Sequence, residues 1–417
     1  MGSFSTSLTG LTAAESALDT ISNNLANLDT TGYKEMTPDF GALFYQLLCD
    51  SGSGDPIQIG DGATIDSITT SFTQGTSQTT GVDTDMAIQG NGFFVVQNNG
   101  AQLYTRAGDF TINSSGYLVD PNGDEVMGYA AKNGVISTSP TLTPIQISTG
   151  TTSPAQATTQ VGFGLNLEAS TYSATSPESF SQPVVVYDSL GVAHTLTFNF
   201  KQTANNQWAY TVTIPAADVG ATGTPVTITN GTGTLQFDGN GNLTSPTGNE
   251  ALSVADLADG ASTLNINWQL LNSQGTPNIT ESGTASAASN ISQNGFSGGT
   301  LTSFDVTSDG VIEGLFSNGQ TVTLGQVALA NFANLQGLED VGGNNYAATV
   351  ASGAALIGGA GSGGLGTIQD GTLEESNVDM ATEFANLIMA ERDYQANAKA
   401  ITTADNVTQT AINLIQP

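Results

Sequence analysis

The sequence predicts an α+β protein that is mostly β, with a long helix at each end. Three observations carry this reading. Both termini show apolar residues at alternating spacings of three and four. Segments between them alternate strictly between apolar and polar residues. Turn dipeptides punctuate a middle rich in glycine, which totals 50 residues.

At the N-terminus, Phe4, Leu11, Ala14, Leu18, Ile21, Leu25 and Leu28 follow the heptad-like stagger, missed only at Ser7, and Leu8 broadens the stripe. The spacing predicts a helix over residues 4–28. At the C-terminus the same stagger runs through Met380, Phe384, Leu387, Tyr394, Ala398, Ile401, Ile412 and Ile415, interrupted by Glu391, Asp405 and Thr408. The spacing predicts a helix over 376–415, with Ser376 as N-cap and Asp379 as an acid in its first turn. At 1.5 Å per residue it would be about 60 Å long. Neither helix can bury its stripe alone. The two must pack on each other in one globule or on other chains, and their placement at both ends suits assembly.

Between them the pattern is β. Val192, His194, Leu196, Phe198 and Phe200 alternate, as do Trp208, Tyr210, Val212 and Ile214, and Leu264, Ile266, Trp268 and Leu270. These read as half-buried strands of a sandwich or barrel. Asn91-Gly92, Asn99-Gly100, Asn122-Gly123, Asp309-Gly310 and Asn318-Gly319 read as turns. Pairing the two terminal helices, and matching the Thr/Ser/Pro-rich stretch 140–160 with the Ser/Gly/Asn-rich stretch 277–300 as linkers, predicts a nested organisation. Residues 1–30 plus 376–417 form a coiled-coil-like helical domain, 31–70 a connector, and 71–145 plus 291–375 a discontinuous β-domain. Residues 146–290 form an inserted outer β-sandwich or barrel.

The chain of 417 residues carries 37 acidic and 6 basic side chains, a formal charge of −31. So few cations cannot neutralise a phosphate track, which argues against nucleic-acid binding, and an anionic membrane surface is disfavoured for the same reason. Self-association should strengthen as salt screens the charge. Cys49 is the single cysteine and His194 the single histidine, so an intramolecular disulfide and a multi-histidine zinc site are excluded. No apolar run is long enough for a membrane helix, and Met1 to Leu28 does not read as a secretory signal. The composition fits a cytoplasmic protein, or one exported unfolded without a cleaved signal.

Several motif matches carry no chemistry. The nucleophile-elbow pattern at Gly295-Phe296-Ser297-Gly298-Gly299 needs a histidine downstream, and His194 lies upstream. The dinucleotide pattern at residues 361–366 lies in a glycine-rich tract without a βα setting. Asp120 to Asp124 and Asp238 to Asn242 are similar to calcium loops but lack the required glycine and terminal glutamate, so they read as hairpin turns. His194 reads as a partly buried structural residue without a triad partner in Asp188, and Cys49 as a small buried hydrophobe. No acidic pair stands out for glycoside hydrolysis. No catalytic residue, cofactor or metal is expected.

Ser22-Asn23-Asn24-Leu25-Ala26-Asn27 followed by Gly32-Tyr33-Lys34 resembles the N-terminal signature of the bacterial flagellar rod, hook and hook-associated axial proteins. Residues 85–94, from Asp85 through Gly92 to Phe94, look like the opening of that family's β-domain. Leu373-Glu374-Glu375-Ser376-Asn377-Val378-Asp379 and Arg392-Asp393-Tyr394-Gln395-Ala396-Asn397-Ala398-Lys399 resemble its C-terminal signature. Leu28-Asp29 departs from the family, which more often has a serine there. The insertion, with residues 183–191, and the segment 325–332 are similar to the hook-type members. A rod or hook-associated paralogue with its own insertion is the alternative within the family.

The resemblance implies export unfolded through the flagellar type III apparatus, without a cleaved signal, to an extracellular place in the flagellum. It implies helical self-assembly into a hollow, flexible tube that links rod to filament and transmits torque. Its neighbours would be the distal rod, the hook cap and the hook–filament junction proteins. The rival classes are an acidic β-rich adhesin or carbohydrate-binding module, which leaves the matched terminal helices unexplained, and a hydrolase, for which no site converges.

Overall fold

The structure is a computed structural model that describes residues 2–43, 45–50, 56–132, 134–137, 141–148, 150–272 and 274–415. Helix α1 spans Gly2–Ala26 and helix α2 spans Met380–Ile415; nearly everything between them is strand or turn. The chain forms two compact units. The first comprises Met1–Ser148, Ser303–Gly314 and Val322–Pro417; the second comprises Thr149–Thr302 with Leu315–Thr321.

The first unit holds both helices and a sheet in which Thr321–Asn331, Glu125–Lys132, Phe93–Asn98, Ala101–Thr105, Asn345–Ala347 and Glu339–Gly342 lie side by side. Its core gathers Phe93, Val95, Tyr104, Met127, Ala328, Ala330, Phe332 and Tyr346. Edge-to-face rings tie it together: Phe93 lies 6.2 Å from Phe332, and Phe72 lies 5.5 Å from Tyr346. Asn99 and Gly100 both adopt positive φ, 47° and 91°, which is the geometry of a two-residue hairpin matched to the strand twist. Residues 31–70, expected as a connector, contain strands. Met36–Ala42 pairs antiparallel with Ala63–Thr70 and packs along α1. Its alternation is weak because both faces are largely exposed or half-buried, so sequence periodicity does not reveal it. The side chain of Cys49 lies outside the described residues.

The second unit wraps a ten-stranded sheet around one core. The three alternating runs are buried as expected, apart from Val192. In Ala193–Ala204 the side chains of His194, Leu196, Phe198 and Phe200 point inward, and Gln207–Ile214 buries every second residue. Val192 is exposed, because it belongs to the preceding turn. The long strand Val226–Phe237 pairs with Gln207–Ile214 through a bulge. There Asn230 has φ 60° and Thr229 pairs with Ser253 instead. The bulge bends the strand and lets the sheet close over its core. Trp268 sits at the centre, 5.1 Å from Tyr210 and 5.0 Å from Phe198, while Trp208 donates its indole N–H to Glu281 at 2.9 Å.

Candidate functional site

The two helices pair antiparallel within the chain. Asn24 donates to Glu383 at 3.3 Å, Ala17 packs on Ala390, and Gly10 lies under Asn397, where an added Cβ would come 2.9 Å from the amide oxygen. These contacts advance by seven residues along α1 and retreat by seven along α2, a heptad register. Carried one step further, the register brings the start of α1, at Gly2, opposite position 405 or so. The last turns of α2 therefore run beyond α1. There Val407 and Leu414 are 64% and 82% exposed.

The buried face is made of small residues, Ala13, Ala14 and Ala17, with Ile21. This differs from the expected seam. Leu11, Leu18, Leu25, Leu28, Leu387 and Ile401 are only half-buried. Phe4, Leu8, Met380, Phe384, Tyr394 and Ile412 are exposed, and the side chain of Ile415 lies outside the described residues. The physical reason is close approach. A seam lined by glycine and alanine lets the helices come near, and the bulky stripe is turned by about one position away from it. Helix α2 also starts later than expected. Its N-cap is Asp379, whose carboxylate accepts from the Thr382 N–H at 2.7 Å, while Ser376 accepts from Val378 in the preceding turn.

Beneath the helix pair the signature residues converge into a buried polar hub. Asn24 holds both sides of the Met36 peptide, donating to its carbonyl at 2.7 Å and accepting from its N–H at 3.0 Å. The Tyr33 hydroxyl donates to Asn24 and accepts from Asn23. Asn377 accepts from the Glu35 N–H at 2.7 Å and donates to the Ser71 carbonyl at 2.8 Å. Glu374 is wholly buried between Lys34 at 2.6 Å and Arg106 at 3.2 Å, and also accepts from the Gly75 N–H. Lys34 further donates to the Thr73 carbonyl, and Arg106 to the Gly90 carbonyl while lying over the Phe93 ring. Burial pulls the Lys34 and Arg106 acidities toward deprotonation, and Glu374 opposes it. Gly32, at φ 70°, donates to the Glu374 carbonyl where any Cβ would strike the Ala107 backbone. The N-terminal and C-terminal signatures thus complete one another's hydrogen bonds across more than 300 residues of sequence.

Not every signature residue joins the hub. Val378 is buried beside it, and Asn27 closes the end of α1 on Asn23. Ala26, Arg392 and Tyr394 are exposed, and Asn397 belongs to the helix seam.

Asp370 ends the strand Thr367–Asp370. One of its carboxylate oxygens is buried with no partner, and burial, reinforced by Asp83 and Asp305, pushes its pKa up to about 6. A carboxyl with a raised folded-state value binds its proton more tightly folded than unfolded. Its ionisation therefore costs stability as pH rises from about 4 to 6, and that cost persists above. Asp370→Asn should raise the melting temperature at pH 7 and lose this advantage below pH 4, as a calorimetric pH series would read. No gain at pH 7 would refute the assignment.

In the second unit the structure corrects the reading of His194. Its Nε2 lies 3.1 Å from Asp188 and its Nδ1 lies 3.0 Å from Asp218, so it does have carboxylate partners. The turn at Gly191 folds Asp188 back beside the strand, and Asp218 arrives from the short helix Ala216–Val219. Strand alternation alone gave neither. The two suspected calcium loops are Asx turns: Asp120 accepts from Asn122 and Asp124 N–H, and Asp238 from Asn240 and Asn242.

Four family matches follow one another along the chain. They are Flagella basal body rod protein at residues 4–34, Flagellar hook protein FlgE/F/G D1 domain at 87–159, Flagellar basal body protein FlaE D2 domain at 173–296, and Flagellar basal body rod FlgEFG protein C-terminal at 369–414. The first and last span most of the two helices and contain Asn24, Tyr33, Lys34, Glu374 and Asn377 of the hub. Together they define a structural protein of the bacterial flagellar axis.

The chain belongs to the flagellar hook protein FlgE family. It is 38% identical to the flagellar hook protein FlgE of Salmonella typhimurium, with 99% of this chain and 100% of the relative covered. It is 35% identical to that of Treponema pallidum, with 99% of both covered. A crystal structure of the Helicobacter pylori hook protein FlgE2 shares the fold at a TM-score of 0.52 and 17% identity, covering 71% of this chain and 100% of that one. The chain is thus a structural protein of the flagellar hook. Among the described residues, no helix is long and apolar enough to cross a membrane.

Proposed function

We propose that the chain polymerises with copies of itself into a hollow, bendable tube joining rod to filament and transmitting torque. One observation carries this reading. The intrachain helix seam uses the small face and leaves a bulky apolar stripe outside, with Phe4 and Leu8 on α1 and Met380, Phe384 and Ile388 on α2. The overhang of α2 adds Val407, Ile412 and Leu414. Exposed apolar surface of this extent is an interaction surface. A heterologous contact repeated without closure yields a filament.

In this reading residues 1–30 and 376–417 form the coiled-coil-like inner tube, 31–70 the connector, 71–145 plus 291–375 the middle shell, and 146–290 the outer domain. The chain is exported unfolded by the flagellar apparatus without a cleaved signal. It meets the distal rod, the hook cap and the hook–filament junction proteins.

The test is negative-stain electron microscopy of the purified chain as salt is raised, beside a chain lacking 1–30 and 376–417. Tubes should form from the full chain alone and be promoted by salt, since screening relieves the repulsion of the acidic surface. Tubes from the truncated chain would overturn the assignment of the helices.

A further inference from the structure

We propose that Asp188, His194 and Asp259 in the second unit form a binding site for a divalent transition-metal ion of the zinc class, with Asp218 orienting the histidine. The ligand atoms are set at metal-site spacing. His194 Nε2 lies 3.1 Å from Asp188 Oδ2 and 3.6 Å from Asp259 Oδ2, and one atom from each of the three residues falls within 4.8 Å of the others. In a tetrahedral site with bonds of about 2.0–2.2 Å, neighbouring ligand atoms stand about 3.3–3.6 Å apart. The two measured spacings bracket that edge.

Each ligand is held for the purpose. Asp188 is fully buried, and its Oδ1 accepts from the Leu190 and Val192 N–H groups, at 2.8 and 2.9 Å. Asp259 Oδ1 accepts from the Ala261 N–H at 3.0 Å. Both residues therefore present Oδ2 to the same point.

The histidine supplies the independent observation. Its side chain is 5% exposed, and Asp218 Oδ2 stands 3.0 Å from Nδ1. That carboxylate can only accept, so Nδ1 carries the hydrogen. Nε2 is buried and faces two carboxylate oxygens, Asp188 Oδ2 at 3.1 Å and Asp259 Oδ2 at 3.6 Å, so it holds either a second ring proton or a metal ion. Such an arrangement requires a cation. A carboxylate on the far nitrogen of a histidine is also the usual outer support of a metal-bound imidazole. One imidazole with carboxylates suits zinc better than calcium or magnesium, which take oxygen ligands alone. Asp259 and Asp218 are about one quarter exposed, which leaves an entry path and a position for water. The expectation that a lone histidine excludes metal holds for multi-histidine sites and does not reach this one.

The test is calorimetric titration of the chelator-treated full chain with zinc chloride, in excess magnesium to occupy the acidic surface. One zinc per chain should bind, and the melting temperature should rise with zinc. Asp259→Asn removes a ligand whose side chain is about one quarter exposed and should weaken zinc binding at least tenfold. Asp218→Asn should weaken it by about 10- to 100-fold. Trp208 and Trp268 lie in the core of this unit, so their near-ultraviolet signal verifies that each variant is folded. Cobalt in place of zinc should give visible absorption that Asp259→Asn abolishes. Absence of saturable binding in the unaltered chain, or equal binding in folded Asp259→Asn, would overturn the site and leave a proton as the cation on Nε2.

Discussion

Replacing Glu374 by glutamine should destabilise the first unit more than any other single change of similar shape. The side chain is the one anion between two buried cations, Lys34 at 2.6 Å and Arg106 at 3.2 Å. Taking away the negative charge leaves both cations buried without a counter-charge, at a cost of about 3–5 kcal/mol. A domain is stable by about 5–15 kcal/mol, so this is a large share. The effect should spread, because Glu374 also receives the Gly75 N–H and its backbone receives the Gly32 N–H. These groups fasten the chain below α1 to the strand that precedes α2. Thermal denaturation followed by the far-ultraviolet helical signal should show an early transition. Both tryptophans belong to the second unit, and their emission is the control that it is still folded. Lys34→Met combined with Glu374→Gln should cost less than Glu374→Gln alone, because it removes one of the stranded cations. Equal losses in the two proteins would refute the electrostatic account.

The strands were legible in the sequence because their information is local. A period of two in Trp208, Tyr210, Val212 and Ile214 states which face is buried, and the structure buries all four. The terminal helices were legible for the same reason. Which face of each helix turns inward was not. The stripe of large residues is the obvious signal, yet the seam selects Gly10, Ala13, Ala17 and Ala390, whose value lies in letting two backbones approach. Ala14 and Ile21 belong to both stripes, which is why the sequence reading was close without being right.

The hub was visible only as motif residues. Nothing in the local pattern pairs Lys34 with Glu374 or Asn24 with Glu383, since each partner is supplied by the opposite end of the chain. The carboxylates around His194 were hidden likewise. Asp218 and Asp259 come from a short helix and a loop with no periodicity to read.

Ala17→Asp is expected to separate the helices and abolish tube formation while sparing the β-layers. Ala17 is 5% exposed and packs with Ile21 and Ala390 at the centre of the heptad register. A carboxylate there would be set among Leu18, Ile21, Leu387 and Ala390, and burying an unpaired polar group costs roughly 2–7 kcal/mol, more for a charge. Helix α1 cannot absorb that loss. It is 25 residues long and rich in serine and threonine, whose hydroxyls bond back to carbonyls one turn earlier, as in Thr12 to Thr9 and Thr20 to Ser16. Such residues favour helix weakly, so most of the helix's stability comes from docking. The undocked helix should fray, and the outer stripe of Phe4 and Leu8, which depends on a formed helix, should be lost with it. Leu18→Asp and Leu387→Asp should act in the same direction but less strongly on docking, because both side chains are half-buried at the edge of the seam. Asp19→Asn, on the exposed face, is the control and should leave assembly intact. Helical circular dichroism and electron microscopy read the two effects separately. Normal tubes from Ala17→Asp would show that assembly does not depend on the helix pair.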